Sequence, residues 1–377
     1  MPELWFKYGT TDVVLNIKYE NILKHVTASS FVLLSEEEIK RHLSDIILTE
    51  DTLIFALSDT RSVASVVTML VQIARAKGIA SIAVGVIPRI QNVLKNNLTD
   101  KTILTNQIDC QSFQTRMQHP HRVVFISQIT YDPLFGYSGT PTVLLRNYMH
   151  KHMLEAFNAR QDNLPKPGVR GPPLDVTLPH FEDIPATSIQ IIANSSGIAG
   201  ICHGNIIGAF EEAIIKMNSI STVETEFAKS AIINASSETG PHLTLMDSLN
   251  SLWNIIHIIR ENGSAVLLSE NSLGLGGRAL QMFVEGRINI EHNSHKQSEY
   301  VDGLEHLIYI RELLKKYELG IVSTLPKYYL KTKLGIKTYG SVKNVVEELL
   351  VKYGKNHKVL VVSDPDIIFL KINRNSV

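Results

Sequence analysis

Ser58-Asp59-Thr60-Arg61 places two hydroxyls, a carboxylate and a guanidinium between a short apolar run, Thr52 to Leu57, and a stretch of helical spacing, Ser62 to Lys77. In α/β folds such a strand–loop–helix turn is a favoured ligand site. The first backbone N–H groups of the helix are free and carry the positive end of its dipole. Arg61 adds a planar, bidentate donor for the same carboxylate or phosphate. The residues also fit a purely structural role, with Ser58 or Asp59 capping the helix and Arg61 solvated. From residue chemistry alone both readings stand.

Two glycine-rich turns would let a backbone approach a ligand closely: Gly136-Tyr137-Ser138-Gly139-Thr140-Pro141 and Leu273-Gly274-Leu275-Gly276-Gly277. Neither is a full GxGxxG or Walker pattern, so neither indicates a nucleotide, and an ordinary tight turn accounts for each. Of the 14 histidines, His119-Pro120-His121 and His150-Lys151-His152 have H-x-H spacing, and His292 and His295 share a polar segment. On a helix, positions i and i+2 diverge by about 200°, so His150 and His152 do not form a ligand pair. No third ligand follows at a diagnostic distance, and no dedicated metal site is expected. There is no GxSxG elbow, and neither Cys110 nor Cys202 has a histidine close in sequence.

The elements that must position these groups follow a regular alternation. Thr52 to Leu57, Ser62 to Lys77 and Ile79 to Val86 form one βαβ unit, its helix closed by Gly78. Strands are expected at 122–130 and 188–194, with helices over 144–160 and 204–219. A proline-rich excursion, Asp162 to Pro173, lies between them. From about Glu226 a second βα series begins. It has strands at 230–235, 265–269, 321–323 and 359–363, and helices at 245–261 (ended by Asn262-Gly263), 304–319 and 342–353. The fold class is therefore α/β: two domains, 1–225 and 226–377, with mainly parallel sheets and a cleft between them.

Composition bounds the partners. Lys plus Arg equals Asp plus Glu at 37 each, without the basic excess typical of nucleic-acid binding. No run approaches the roughly 20 apolar residues of a membrane helix, and Met1 to Tyr8 does not read as a signal peptide. Two cysteines in 377 residues fit a reducing compartment. A cytoplasmic protein without nucleic-acid or membrane partners is expected. Its oligomeric state stays open, a homo-oligomer included.

In order and spacing these motifs resemble the nickel-dependent lactate racemase family, with its wider group of 2-hydroxy acid racemases and epimerases. The resemblance is carried by Tyr8-Gly9, Ser58-Asp59-Thr60-Arg61, and Asp132 to Thr142 around Phe135-Gly136-Tyr137-Ser138-Gly139. Pro167-Gly168, Gly171-Pro172-Pro173 and Glu270 to Gly276 complete it. It implies a cleft between two α/β domains in which a lysine-tethered nickel pincer nucleotide takes a hydride from the substrate's 2-carbon. Histidines would serve there as metal ligand and general acid/base.

Aligning the glycine loops without gaps puts the family's metal-binding histidine at Asp132, its tethering lysine at Thr142 and its later histidine at Asn158. The first catalytic histidine falls at Pro88, within Gly85 to Arg89. The substrate-contacting stretch falls around Asp247, Ser248 and Ser251. Threonine cannot make the lysine's covalent link, proline cannot act as a base, and Asp132 is a hard oxygen ligand. The resemblance thus implies an inherited scaffold without the nickel pincer cofactor. Such a scaffold would bind a small anionic ligand, such as a hydroxy acid, through Ser58, Asp59, Thr60, Arg61, Gly136, Ser138, Gly139, Gly274 and Gly276. The alternative is an active isomerase with altered catalytic residues.

Overall fold

The computed structural model describes residues 3–28, 31–79, 82–118, 122–238, 240–290 and 296–373. Its first six-stranded sheet runs in the order Gly197–Asn205, Thr187–Asn194, Val123–Gln128, Leu53–Ala56, Ala83–Val86, Thr105–Gln107. All neighbours pair in parallel except the outer hairpin of Thr187–Asn194 with Gly197–Asn205. Numbered by sequence, this is the doubly wound 3-2-1-4-5-6 order, with its reversal between Leu53–Ala56 and Val123–Gln128. Both of those strands are buried along their whole length, as parallel strands covered on two faces must be. The helix Arg61–Ala76 packs Val63, Val66, Val67, Leu70 and Ala74 on the sheet. It ends in a Schellman motif: Gly78 N–H bonds Arg75 O, Ile79 N–H bonds Ala74 O, and Gly78 takes φ +83°.

The second six-stranded sheet is wholly parallel, in the order Lys337–Tyr339, Glu318–Val322, Ile259–Leu268, Ala228–Asn234, Val359–Val362, Ile22–Val26. Its strand order reverses between Ala228–Asn234 and Val359–Val362. Ile22–Val26 belongs here, and Phe6, Leu15 and Ile17 of the N-terminal hairpin join Val345 and Leu349 in one core. The division at 225/226 therefore does not follow the sheets. The open edge beside Val359–Val362 is covered by a strand from the other end of the chain, a pairing that local patterning does not encode.

Four expected elements differ; one is the helix over 304–319, which ends at Leu314 before the strand Glu318–Val322. The helix over 144–160 is two helices, Thr140–Tyr148 and His150–Asn158, broken at Met149. The segment 197–205 is a strand, so the following helix spans Ile206–Ser221. The helix at 245 stops at Ile256, because Asn262 (φ +60°) and Gly263 form a kink inside the strand Ile259–Leu268 rather than a helix end. A Cβ on Gly263 would lie 2.6 Å from Lys229 O, so only glycine permits that close strand approach.

One hydrophobic cluster runs through both sheets' coverings, joining Phe135, Leu145 and Phe157 to Trp253, Tyr309 and Leu370. An ion pair bridges the same region. Arg146 Nη1 donates to Glu305 Oε1 at 2.6 Å, and its Nη2 to Asp132 Oδ2 at 3.1 Å. Tyr300 OH donates to Glu305 Oε2 at 2.9 Å, and Phe135 lies under the guanidinium. On this side the domains are welded. Among the described residues no helix is long and apolar enough to cross a membrane.

Candidate functional site at two facing switch points

In a doubly wound sheet the loops leaving adjacent strands diverge where the order reverses, and the crevice this opens is the usual ligand site. Ser58 to Arg61 leaves Leu53–Ala56 at that point in the first sheet. Ser58 Oγ accepts from Gln128 N at the end of the neighbouring strand, at 3.3 Å. Thr60 is the helix N-cap, its Oγ1 accepting from Val63 N at 3.4 Å. The cap is thus neither Ser58 nor Asp59. Arg61 and Arg89 are exposed at the carboxyl ends of adjacent strands, both within electrostatic reach of the site's carboxylates.

The second sheet presents its own switch point to the first. Glu238, beyond Ala228–Asn234, accepts through Oε1 from Ser62 N at 2.6 Å and Ser62 Oγ at 2.8 Å. A carboxylate from one domain therefore sits on the helix N-terminus of the other, where a bound anion is favoured. Beside it, His242 Nε2 meets Asp366 Oδ2 at 2.7 Å, and Ser251 donates to Asp366 Oδ1 at 2.5 Å. Asp366 follows Val359–Val362, the strand across the reversal. Thr244 caps the helix Leu245–Ile256 through Asp247 N.

The charges of this closed interface act on one another. Burial pushes the Glu238 carboxyl up to about 7, with Asp59 adding repulsion against the opposing pull of Ser62 and Arg61. Burial likewise raises Asp59, helped by Asp247, while Arg89 and His242 oppose it. Burial would lower His242, but Asp366, Asp247 and Asp59 outweigh it and hold the imidazole above its ordinary value. Four buried acceptors have no hydrogen-bond partner among the described residues: Gln128 Oε1, Asn234 Oδ1, Glu238 Oε2 and Asn254 Oδ1. Gln128 and Asn234 end the strands at the two switch points, and Asn254 donates to Pro365 O beside Asp366. Buried acceptors are normally satisfied, so these four are exceptions among the described residues.

The remaining sequence-derived residues separate. Gly274 and Gly276 (φ +90° and +84°) shape the turn that wraps the start of the helix Leu245–Ile256. Gly274 O accepts from Leu245 N, and a Cβ on Gly276 would lie 2.6 Å from Thr244 Oγ1. They support the cluster from behind Thr244. Gly136, Ser138 and Gly139 belong to a short strand and the helix start after it, where the glycines answer packing: added Cβ atoms would strike Val169 O at 2.3 Å and the Phe210 ring at 2.7 Å.

Asp132 accepts from Leu134 N and Phe135 N, both at 2.8 Å, as well as from Arg146. Thr142, wholly buried, accepts from Gly139 N at 3.0 Å and donates to Gly139 O at 3.1 Å. Asn158 clamps Gln297 through its backbone N–H and C=O, and Pro88 opens a short 3-10 turn. Tyr8-Gly9 and Glu270 do meet: a Cβ on Gly9 (φ +58°) would overlap Glu270 Oε2. His119, His121, His292 and His295 lie outside the described residues.

Glu238, His242 and Asp366 carry no motif and escaped the sequence reading. The signal that finds them is positional, since each follows the carboxyl end of a strand flanking a reversal, and it needs the strand order.

No family profile matches the sequence, and no curated protein matches it. Among solved structures, the fold is similar to the lactate racemase apoprotein from Thermoanaerobacterium thermosaccharolyticum, with TM-score 0.76 and 13% identity over 98% of this chain and 100% of that one. It is also similar to a protein from Thermotoga maritima, with TM-score 0.60 and 10% identity over 90% of this chain and 99% of that one. What the likeness establishes is a lactate racemase-like fold, shared along essentially the whole chain.

Proposed function

We propose that this chain uses a lactate racemase-like scaffold without the nickel pincer chemistry and binds a small carboxylate between its two switch points. The observation that carries the reading is the Glu238 carboxylate on Ser62 N and Oγ. It acts as an internal occupant of the anion position, which a ligand carboxylate would take over with Arg61 and Arg89 alongside. The unpartnered acceptors favour a ligand that also carries a hydroxyl, as a 2-hydroxy acid does.

The pincer nucleotide does not fit the residues present. Thr142 has no amine and its hydroxyl is engaged twice with Gly139, while both Asp132 oxygens are held by Arg146.

Lactate titrated into the wild type, Glu238→Ala and Arg61→Ala, followed by calorimetry, tests the proposal. Emptying the helix N-terminus in Glu238→Ala strengthens binding. Arg61→Ala weakens it about 10- to 100-fold, the worth of a charge-assisted hydrogen bond. Lactate binding absent from both the wild type and Glu238→Ala sinks the proposal. So does protein from the native host carrying a covalent nucleotide and one nickel per chain.

A second reading, an isomerase with altered catalytic residues, is favoured by Glu238 and His242. Glu238 is pushed up to about 7, so its protonation changes near neutrality as a general acid/base needs, and the neighbouring carboxylates hold His242 above its ordinary value. Solvent deuterium appearing at C2 of lactate, and abolished by Glu238→Gln, would establish it.

A further inference from the structure

We infer that His152, Glu155 and His180 form a binding site for a divalent zinc-type metal ion, separate from the switch-point cluster. Their ligand atoms all lie within 4.8 Å of one another. His152 Nδ1 is 3.6 Å and His180 Nε2 is 3.7 Å from Glu155 Oε2, and the imidazole centroids are 3.8 Å apart. A tetrahedral ion with bonds of about 2.0–2.1 Å needs ligand atoms about 3.3 Å from each other and ring centroids about 5 Å apart, so the two imidazoles swing apart by roughly 1 Å to complete the set.

The backbone makes this arrangement durable. His152 and Glu155 are at i and i+3 on the helix His150–Asn158, hence on one face. His180 comes from the short turn Leu178–Phe181 packed nearby. Met153 and Phe157 on the helix and Phe181 beside His180 are almost wholly buried, which fixes both supports. The i, i+2 histidine pair His150/His152 is not the relevant spacing; the carboxylate at i+3 is.

The donor types select the ion. Two imidazoles and one carboxylate suit zinc, cobalt or copper rather than calcium or magnesium, which prefer oxygen-only shells. Three protein ligands leave the fourth position for water or substrate, the pattern of catalytic rather than structural zinc. His152 also lines a cavity of about 690 Å³ with Tyr148, His150 and Phe181, large enough for a small molecule beside the ion.

The test is zinc chloride titrated into untagged full-length protein by calorimetry, with cobalt absorption as a second readout. The wild type is expected to bind one tight equivalent of zinc and to give the visible bands of tetrahedral cobalt. His152→Ala and His180→Ala should each weaken zinc at least about 100-fold and erase the cobalt bands. Glu155→Gln should weaken zinc about 10-fold, with unchanged circular dichroism in all three because the side chains are partly exposed. A wild type that binds no zinc overturns the assignment. So does a His152→Ala/His180→Ala double variant that keeps the same stoichiometry and affinity, which would place the ion on other histidines.

Discussion

Replacing Glu238 with glutamine isolates the cost of holding a carboxyl at the domain interface. The residue is 6% exposed, and its folded pKa is pushed up to about 7 from an ordinary 4.5. In the unfolded chain the carboxyl ionises near 4.5, while in the folded chain it keeps its proton until about 7. Folding therefore binds an extra proton across that window. The stability associated with this group is fully present below about 4.5, is lost as pH rises toward 7, and levels off above it. At about 1.4 kcal/mol per pH unit, the wild type loses about 1 kcal/mol by pH 5 and about 3 kcal/mol by pH 8.

Glutamine keeps an oxygen for Ser62 N and Oγ and removes the ionisation. Its amide N–H₂ replaces the unpartnered Oε2, an offset that does not depend on pH. Chemical denaturation of both proteins at pH 5 and pH 8 should then show Glu238→Gln gaining about 2.5 kcal/mol on the wild type between the two pH values. A difference between variant and wild type that stays constant with pH, or that moves against the variant at pH 8, would refute the argument.

Two further stability predictions follow, besides the lactate and zinc titrations above. Arg146→Ala leaves the Asp132 and Glu305 carboxylates facing each other in the welded side of the interface, and should cost about 3–5 kcal/mol in denaturation experiments. Arg146→Lys, which lacks the fork that spans both acids, should recover only part of that. Gly276→Ala combines a positive φ with a collision against the capping Thr244 hydroxyl, and should cost about 2–3 kcal/mol by the same measurement. Gly274→Ala shares the φ penalty but meets open space, so it should cost less.

The sequence by itself determined what is local. The apolar run before Ser58, the helical spacing after it and the cap glycine at 78 place the turn 58–61 between a strand and a helix. Short-range sterics and hydrogen bonds are enough for that. The α/β class and the position of the turn that carries Arg61 were legible on those grounds.

What only the tertiary structure decided depends on pairings between distant segments. Val123–Gln128 rather than another strand lies beside Leu53–Ala56, which turns an ordinary helix start into a switch point. Ile22–Val26 closes the second sheet's edge from the far end of the chain. Glu238, His242 and Asp366 look like any surface residues until two strand reversals are set face to face. Burial and mutual charge, which exist only in the assembled fold, are what shift the protonation of Glu238 and His242. For the same reason His152 and His180, 28 residues apart in sequence, become a candidate ligand pair only once their supporting turns are packed together.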